Sequence, residues 1–268
     1  MPHMLILGMG YSGSRLGAYL ANEGWRVTGA RRAGGGDALA FADEAAVRAA
    51  IDVATHILSS VPPEGEDDPV LARYGRSIAT APARWTGYLS STGVYGDSGG
   101  AWVDEYSPVG SGRRAARMRA DLAWGALRPD VRRFRLPGIY GPGRSALERV
   151  REGKAHRVRL RDQVFSRIHV DDIVSGIIAS FDAPPGIYNL ADDLPCAQNA
   201  VVEAACDLAG LPWPPLLELD EAGLSPMARG FYAENRRVAN GRAKRLLGWM
   251  PRYPTYVQGL AACLARDA

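Results

Sequence analysis

The sequence predicts a doubly wound α/β fold with a parallel sheet and a smaller C-terminal lobe. Three observations carry that reading. A short apolar run, Met4-Leu5-Ile6-Leu7, flows through Gly8-x-Gly10-x-x-Gly13 into residues with helical spacing. Strand-like and helix-like segments then alternate, the pattern of parallel strands joined by crossover helices. The chain has 268 residues, 47% hydrophobic and 23% charged, enough for one large α/β domain or one domain with a smaller appendage.

The glycine loop organises the rest. Gly8 permits the tight turn, Gly10 lets backbone approach a pyrophosphate, and Gly13 lets the helix pack closely on the strand. Tyr11 and Ser12 fall at the helix N-terminus, whose unpaired N–H groups and positive dipole end suit phosphate. A dinucleotide is the expected guest.

The helix carrying Leu16, Tyr19 and Leu20 stops at Asn22-Glu23-Gly24, and a strand from Trp25 to Ala30 follows. At its end stand Arg31 and Arg32, where an NAD enzyme places an acidic residue for the adenosine ribose. An arginine pair suits a 2′-phosphate, so NADP is expected, with NAD the alternative. A strand at Leu39–Phe41, a helix at Asp43–Asp52 and a buried strand at Thr55–Val61 continue the alternation. Ser59, Ser60, Val61 and Pro62 end that strand at the carboxyl edge, where backbone can lie along a cofactor. A helix over Asp68–Thr80 precedes a strand at Thr86–Ser90, and a further strand spans Arg132–Leu136.

Asp171 is a capping candidate for a helix at Ile173–Phe181, with His169 a structural, hydrogen-bonded residue. Ile187–Leu190 is a strand, and a helix over Ala197–Ala209 closes at Gly210. A short strand near Leu216–Leu219, a small helix ending at Leu247 and a last helix at Thr255–Ala265 complete the chain. The division expected is 1–183 for the dinucleotide-binding domain, with an excursion over about 144–162, and 184–268 for the smaller lobe.

Composition narrows the function classes. Net charge is +3 with arginines spread along the chain, so no nucleic-acid partner is indicated. Cys196, Cys206 and Cys263 are odd in number and lack Cys-x-x-Cys spacing, which favours reduced thiols over disulfides or a metal site. The N-terminal apolar run is too short for a signal or a membrane span. A cytoplasmic protein with a small-molecule substrate, no metal and no membrane association is expected; an oligomer is compatible with the sequence but not indicated by it.

Three motifs occur in order: the glycine loop, Ser90-Ser91-Thr92-Gly93-Val94-Tyr95-Gly96, and Arg135-Leu136-Pro137-Gly138-Ile139-Tyr140-Gly141. With Ile168-His169-Val170-Asp171-Asp172 and Tyr188-Asn189-Leu190-Ala191, they make the chain resemble the extended short-chain dehydrogenase/reductases, the superfamily of nucleotide-sugar epimerases and dehydratases. The resemblance implies a Rossmann sheet. It also implies that Ser91, three residues before Val94, contacts the reacting oxygen, that Thr92 and Tyr95 adjoin the substrate, and that Pro137 and Gly138 line the nicotinamide pocket.

The family's Tyr-x-x-x-Lys pair has no counterpart here. Aligned on Asp121, the tyrosine position holds Arg113 and the lysine position Arg117. Arginine stays protonated above pH ~12 and cannot exchange a proton as tyrosine does. Arg117 could hold the nicotinamide ribose and Arg113 could clamp an anion. Tyr140, Tyr95 and Tyr106 are the stand-in tyrosines, and Arg236 belongs to the lobe that holds substrate. Two classes stay open: an NADP-dependent enzyme working by hydride transfer, epimerisation or dehydration on a small anionic or sugar-like substrate, and a non-catalytic NADP(H)-binding regulatory protein.

Overall fold

The structure is a computed structural model and describes residues 1–110 and 115–267. Seven strands form one parallel sheet: β1 (His3–Leu7), β2 (Arg26–Arg31), β3 (Leu39–Ala40), β4 (His56–Ser59), β5 (Trp85–Ser91), β6 (Val131–Leu136) and β7 (Gly186–Asn189). Their order across the sheet is 7-6-5-4-1-2-3. From β1 the chain winds one way through β2 and β3, then returns past β1 to β4. The crevice between β1 and β4 is therefore the topological switch point, where ligands of such sheets bind.

The continuous apolar run of β1 is explained by burial on both faces. Side chains alternate along a strand, so Met4 and Ile6 join one core while Leu5 and Leu7 join the other. The first core is closed by Leu16 and Leu20 of α1 (Tyr11–Asn22) and by Ile173 and Ile177 of α6 (Val170–Ala179). The second is closed by α2 (Glu44–Val53), α3 (Pro69–Ala79) and α4 (Ala115–Leu127), which contribute Ile51, Tyr74 and Trp124. Caps fix the helix starts. Asp68 accepts from the N–H groups of Val70 and Leu71 at 2.9 Å each, with Pro69 opening α3, and Asp43 accepts from Ala46 at 3.1 Å.

The smaller lobe has its own core, made by Leu147 and Val150 of α5 (Ala146–Arg151), Val201 and Val202 of α7 (Gln198–Ala209), and Leu260 and Cys263 of α10 (Tyr256–Asp267). Gly210, at φ 65°, ends α7 in the left-handed conformation that glycine adopts without penalty. Two short helices, α8 (Pro226–Tyr232) and α9 (Gly241–Leu247), complete the chain. Small two-strand ladders join Gly138–Tyr140 to Arg167–His169, Arg157–Val158 to Leu216–Leu217, and Trp102–Val103 to Arg237–Val238.

Two expectations need correction. The segment Gly186–Asn189, assigned by sequence to the smaller lobe, is the edge strand of the main sheet, paired in parallel with β6. Ala243 of α9 and Trp249 pack into the first core as well, so the lobes do not divide at residue 184. The cap of α6 is His169, whose Nδ1 accepts from the Asp171 N–H at 3.2 Å. Asp171 instead takes Arg15 at 2.7 Å and Arg266 at 2.9 Å, pinning α1 and α10 to the start of α6.

Candidate active site

The glycine loop has the geometry its spacing demands. Gly8 sits at φ +101°, and a Cβ there would meet Ser60 Oγ at 2.7 Å. A Cβ on Gly13 would lie 2.4 Å from the Gly8 carbonyl oxygen, so only glycine lets α1 approach this closely. Gly10 is the opposite case: it is exposed, and nothing lies within 4 Å of where its Cβ would be. That open backbone, followed by the N–H groups of Tyr11 and Ser12, fits a pyrophosphate. Tyr11 turns its hydroxyl away to the Pro142 carbonyl at 2.9 Å, and burial raises its pKa to about 12.

A cleft of about 750 Å³ opens beside this loop, walled by Gly8, Ala30 and Val61 and flanked by Arg31 and Arg32. Both arginines are exposed. Arg32 pairs with Glu64 across the cleft, whereas Arg31 makes no ion pair among the described residues. Ser59 is fully buried and Ser60 donates back to the Gly8 carbonyl, so within this segment Val61 faces the cleft, with Pro62 exposed just beyond.

On the other side of β5 lies a second cavity, of about 340 Å³. Ser91 and Thr92 line it from the end of β5, with Pro137 and Gly138 from the end of β6. Ser91 Oγ accepts from the Gly93 N–H at 3.1 Å, which caps the short 3-10 turn Thr92–Tyr95 and leaves the hydroxyl proton available to donate. Thr92 is buried and reaches the Leu136 carbonyl at 3.5 Å. Arg236 also lines the cavity, paired with Glu234 at 2.9 Å and bonded to the Gly96 carbonyl.

A buried ionic network holds the end of β5 in place. Asp121 of α4, 1% exposed, accepts from Ser90 Oγ at 2.7 Å and from Arg135 at 2.8 and 3.2 Å, with Arg133 at 3.0 Å. The Arg135 guanidinium lies 4.9 Å over the Tyr95 ring, and the Tyr95 hydroxyl donates to Asn189 of β7 at 2.8 Å. Such a network keeps a buried carboxylate paired on every side, and its partners on β5, β6 and β7 position Ser91.

The stand-in tyrosines lie elsewhere. Tyr95 is buried in that network. Tyr140 packs beneath α10, where a Cβ on Gly259 would sit 1.9 Å from its hydroxyl, and burial raises its pKa well above the usual phenol range. Tyr106 is 79% exposed and accepts from Arg242 at 2.6 Å. None of the three lines the cavity containing Ser91. Arg113 lies outside the described residues. Arg117 lines neither cavity; its charge acts on buried Tyr88 and on Asp68, opposing the rise that burial imposes on both.

Further residues complete the cavity, and sequence reasoning gave a catalytic role to none of them. Tyr232 of α8 is its sole tyrosine among the described residues, and Arg149, His156 and Arg167 also line it. Burial raises the Tyr232 pKa while Arg149 and Arg167 pull it down. Burial and Arg149 together lower His156. The only available signal was the position of these residues in the excursion after β6 and in the C-terminal region, which fold together over one opening. His169 stands apart, buried and lowered to about 4 chiefly by burial, with Nε2 3.8 Å from Cys263. Among the described residues no cluster could hold a metal ion, and no helix is long and apolar enough to cross a membrane.

No family model matches the chain. A curated 3-diazoavenalumate denitrifying reductase from Streptomyces sp is 30% identical over 139 residues, 47% of this chain and 45% of the relative, so the match spans under half the relative's length. Among solved structures, a functionally unknown conserved protein from Silicibacter pomeroyi DSS is 41% identical over 99% of both chains, with a TM-score of 0.87. The human epimerase family protein SDR39U1 with NADPH is 18% identical over 99% of this chain and 100% of its own, with a TM-score of 0.79. MoeE5 in complex with UDP-glucuronic acid and NAD is 20% identical over 99% and 100%, with a TM-score of 0.78. The chain belongs to the same family as the Silicibacter pomeroyi protein and carries the fold of the extended, epimerase- and dehydratase-like short-chain dehydrogenase/reductases.

Proposed function

We propose that this chain is an NADP(H)-dependent oxidoreductase of the extended short-chain dehydrogenase type that acts on a small anionic substrate. The observation that carries the reading is the placement of Ser91 and Arg31. Ser91 opens into the 340 Å³ cavity at the end of β5, and Arg31 opens into the cleft beside the glycine loop, on the far side of the switch point. The similarity to a curated reductase favours reduction over epimerisation.

In this reading Gly8, Gly10 and Gly13 shape the pyrophosphate seat, and the N–H groups of Tyr11 and Ser12 donate to it. Arg31 pairs with the 2′-phosphate. The nicotinamide, when bound, supplies the hydride. Ser91 donates its hydroxyl proton to the substrate's reacting oxygen, and charge that develops there is stabilised by that bond. Tyr232 is protonated at neutral pH and can give a proton to the reduced oxygen; neither Arg117 nor any other guanidinium can.

The test is calorimetry of the full chain with NADPH and NADH, followed by cofactor consumption against a panel of small carbonyl acids. Tighter NADPH binding with turnover of a member of the panel supports the enzyme. The absence of Tyr-x-x-x-Lys favours a second reading, an NADP(H)-binding regulatory protein, and tight NADPH binding without turnover across the panel would select it.

A further inference from the structure

The wall of the Ser91 cavity is mostly carbon. Phe165, Phe231, Val202, Val164 and Leu136 present apolar surface, and several of its polar groups are engaged by the protein itself. The Thr92 hydroxyl is directed to a backbone carbonyl, and Ser166 Oγ accepts from the Val238 N–H at 2.9 Å. Gln198 Oε1 accepts from Arg167 at 3.0 Å. Arg167, which is buried, also donates from Nη1 to the Phe165 and Cys196 carbonyls. Arg236 and Glu234 pair with each other.

Arg149 is different. It is exposed and donates to the Lys154 carbonyl at 3.2 Å, yet no carboxylate among the described residues pairs with it. A guanidinium has five N–H donors, so most of its capacity remains for a guest. Tyr232 and His156 both lie within reach of its charge.

We infer that the cavity takes an aromatic or conjugated carboxylic acid, with its ring against Phe165 and Phe231 and its carboxylate on Arg149, rather than a nucleotide sugar. This rests on the reading that the cavity is the substrate site. A sugar nucleotide would place many hydroxyls and phosphate oxygens against carbon walls, and polar groups left unpaired there cost affinity. A volume of about 340 Å³ stands at the small end of ligand cavities, which run to roughly 1,000 Å³. Such sites bind through apolar walls and a small number of placed polar groups, which here are Arg149 at one place and Ser91 at another.

The experiment is calorimetry of the full chain, with and without NADPH, using 4-hydroxycinnamate, its amide and UDP-glucose as probes. The acid should bind at least about tenfold more tightly than the amide, the scale of one charge-assisted bond, and more tightly than UDP-glucose. Arg149→Gln, on an exposed side chain, should erase the difference between acid and amide. UDP-glucose binding more tightly than the acid, or a preference for acid that survives Arg149→Gln, overturns the inference. If NADPH binds but none of the probes does, the inference falls and the cofactor reading stands. If the acid binds through Arg149 but NADPH does not bind, the cofactor reading falls and the inference stands.

Discussion

Replacing Arg31 by Asp isolates the physical basis of cofactor choice. Arg31 is the last residue of β2 and flanks the cleft beside the glycine loop. Arg32 is already engaged by Glu64, so Arg31 is the guanidinium at this edge without an ion-pair partner among the described residues. A charge-assisted bond to a phosphate contributes about 1.5–3 kcal/mol, which is roughly 10- to 150-fold in affinity. Arg31→Asp should therefore weaken NADPH by that factor and bring a carboxylate to the ribose edge, where it can accept from the 2′-hydroxyl of NADH. The NADPH to NADH preference should narrow or reverse. Because Arg31 is exposed, the NADPH advantage of the unmodified protein should also shrink as salt rises. Calorimetry of both proteins with both cofactors reads the ratio directly. Equal affinities of the unmodified protein for the two cofactors would refute the reasoning, as would a ratio that Arg31→Asp leaves unchanged.

Other outcomes follow from the same geometry. Ser91→Ala should leave NADPH affinity intact and lower turnover by about 10²-fold, the scale of losing one donor to a developing oxyanion; steady-state kinetics beside calorimetry separates the two effects. Arg113→Tyr combined with Arg117→Lys restores the family's pair, and dehydrogenase turnover that appears or rises in that variant, read by NADPH consumption, would mark a lapsed catalytic site. Asp192 is buried and raised to about 7, chiefly by burial, so its charged form opposes folding. That penalty is absent below the unfolded value near 4 and grows to roughly 4 kcal/mol as pH rises through 7. Asp192→Asn should thus stabilise the protein by a few kcal/mol at about pH 8 and leave it unchanged near pH 3, as measured by urea unfolding at the two pH values. A gain of the same size at both values would remove the electrostatic explanation.

The sequence by itself determined most strands of the sheet and the tight glycine turn after β1, because each rests on local rules. Apolar runs of strand length, helical spacing and the Gly8-x-Gly10-x-x-Gly13 pattern act over a few residues, and the left-handed φ at Gly8 and the close approach at Gly13 were both readable from glycine at those places. What the tertiary structure decided involves partners far apart in the chain. Tyr140 was legible as a tyrosine in a cleft motif, yet its hydroxyl ends beneath Gly259 of the last helix. Asp171 looked like a cap, but Arg15 and Arg266, from opposite ends of the chain, claim it. Gly186–Asn189 lies past the division expected at residue 184, and only pairing with β6 returns it to the sheet. The same holds for the cavity wall: Arg149, His156, Phe165 and Tyr232 have no common spacing, and they face one opening because α5, α8 and the loops between them fold over the ends of β5 and β6. Side-chain periodicity records which face of an element is buried, but it carries no record of which distant element covers that face.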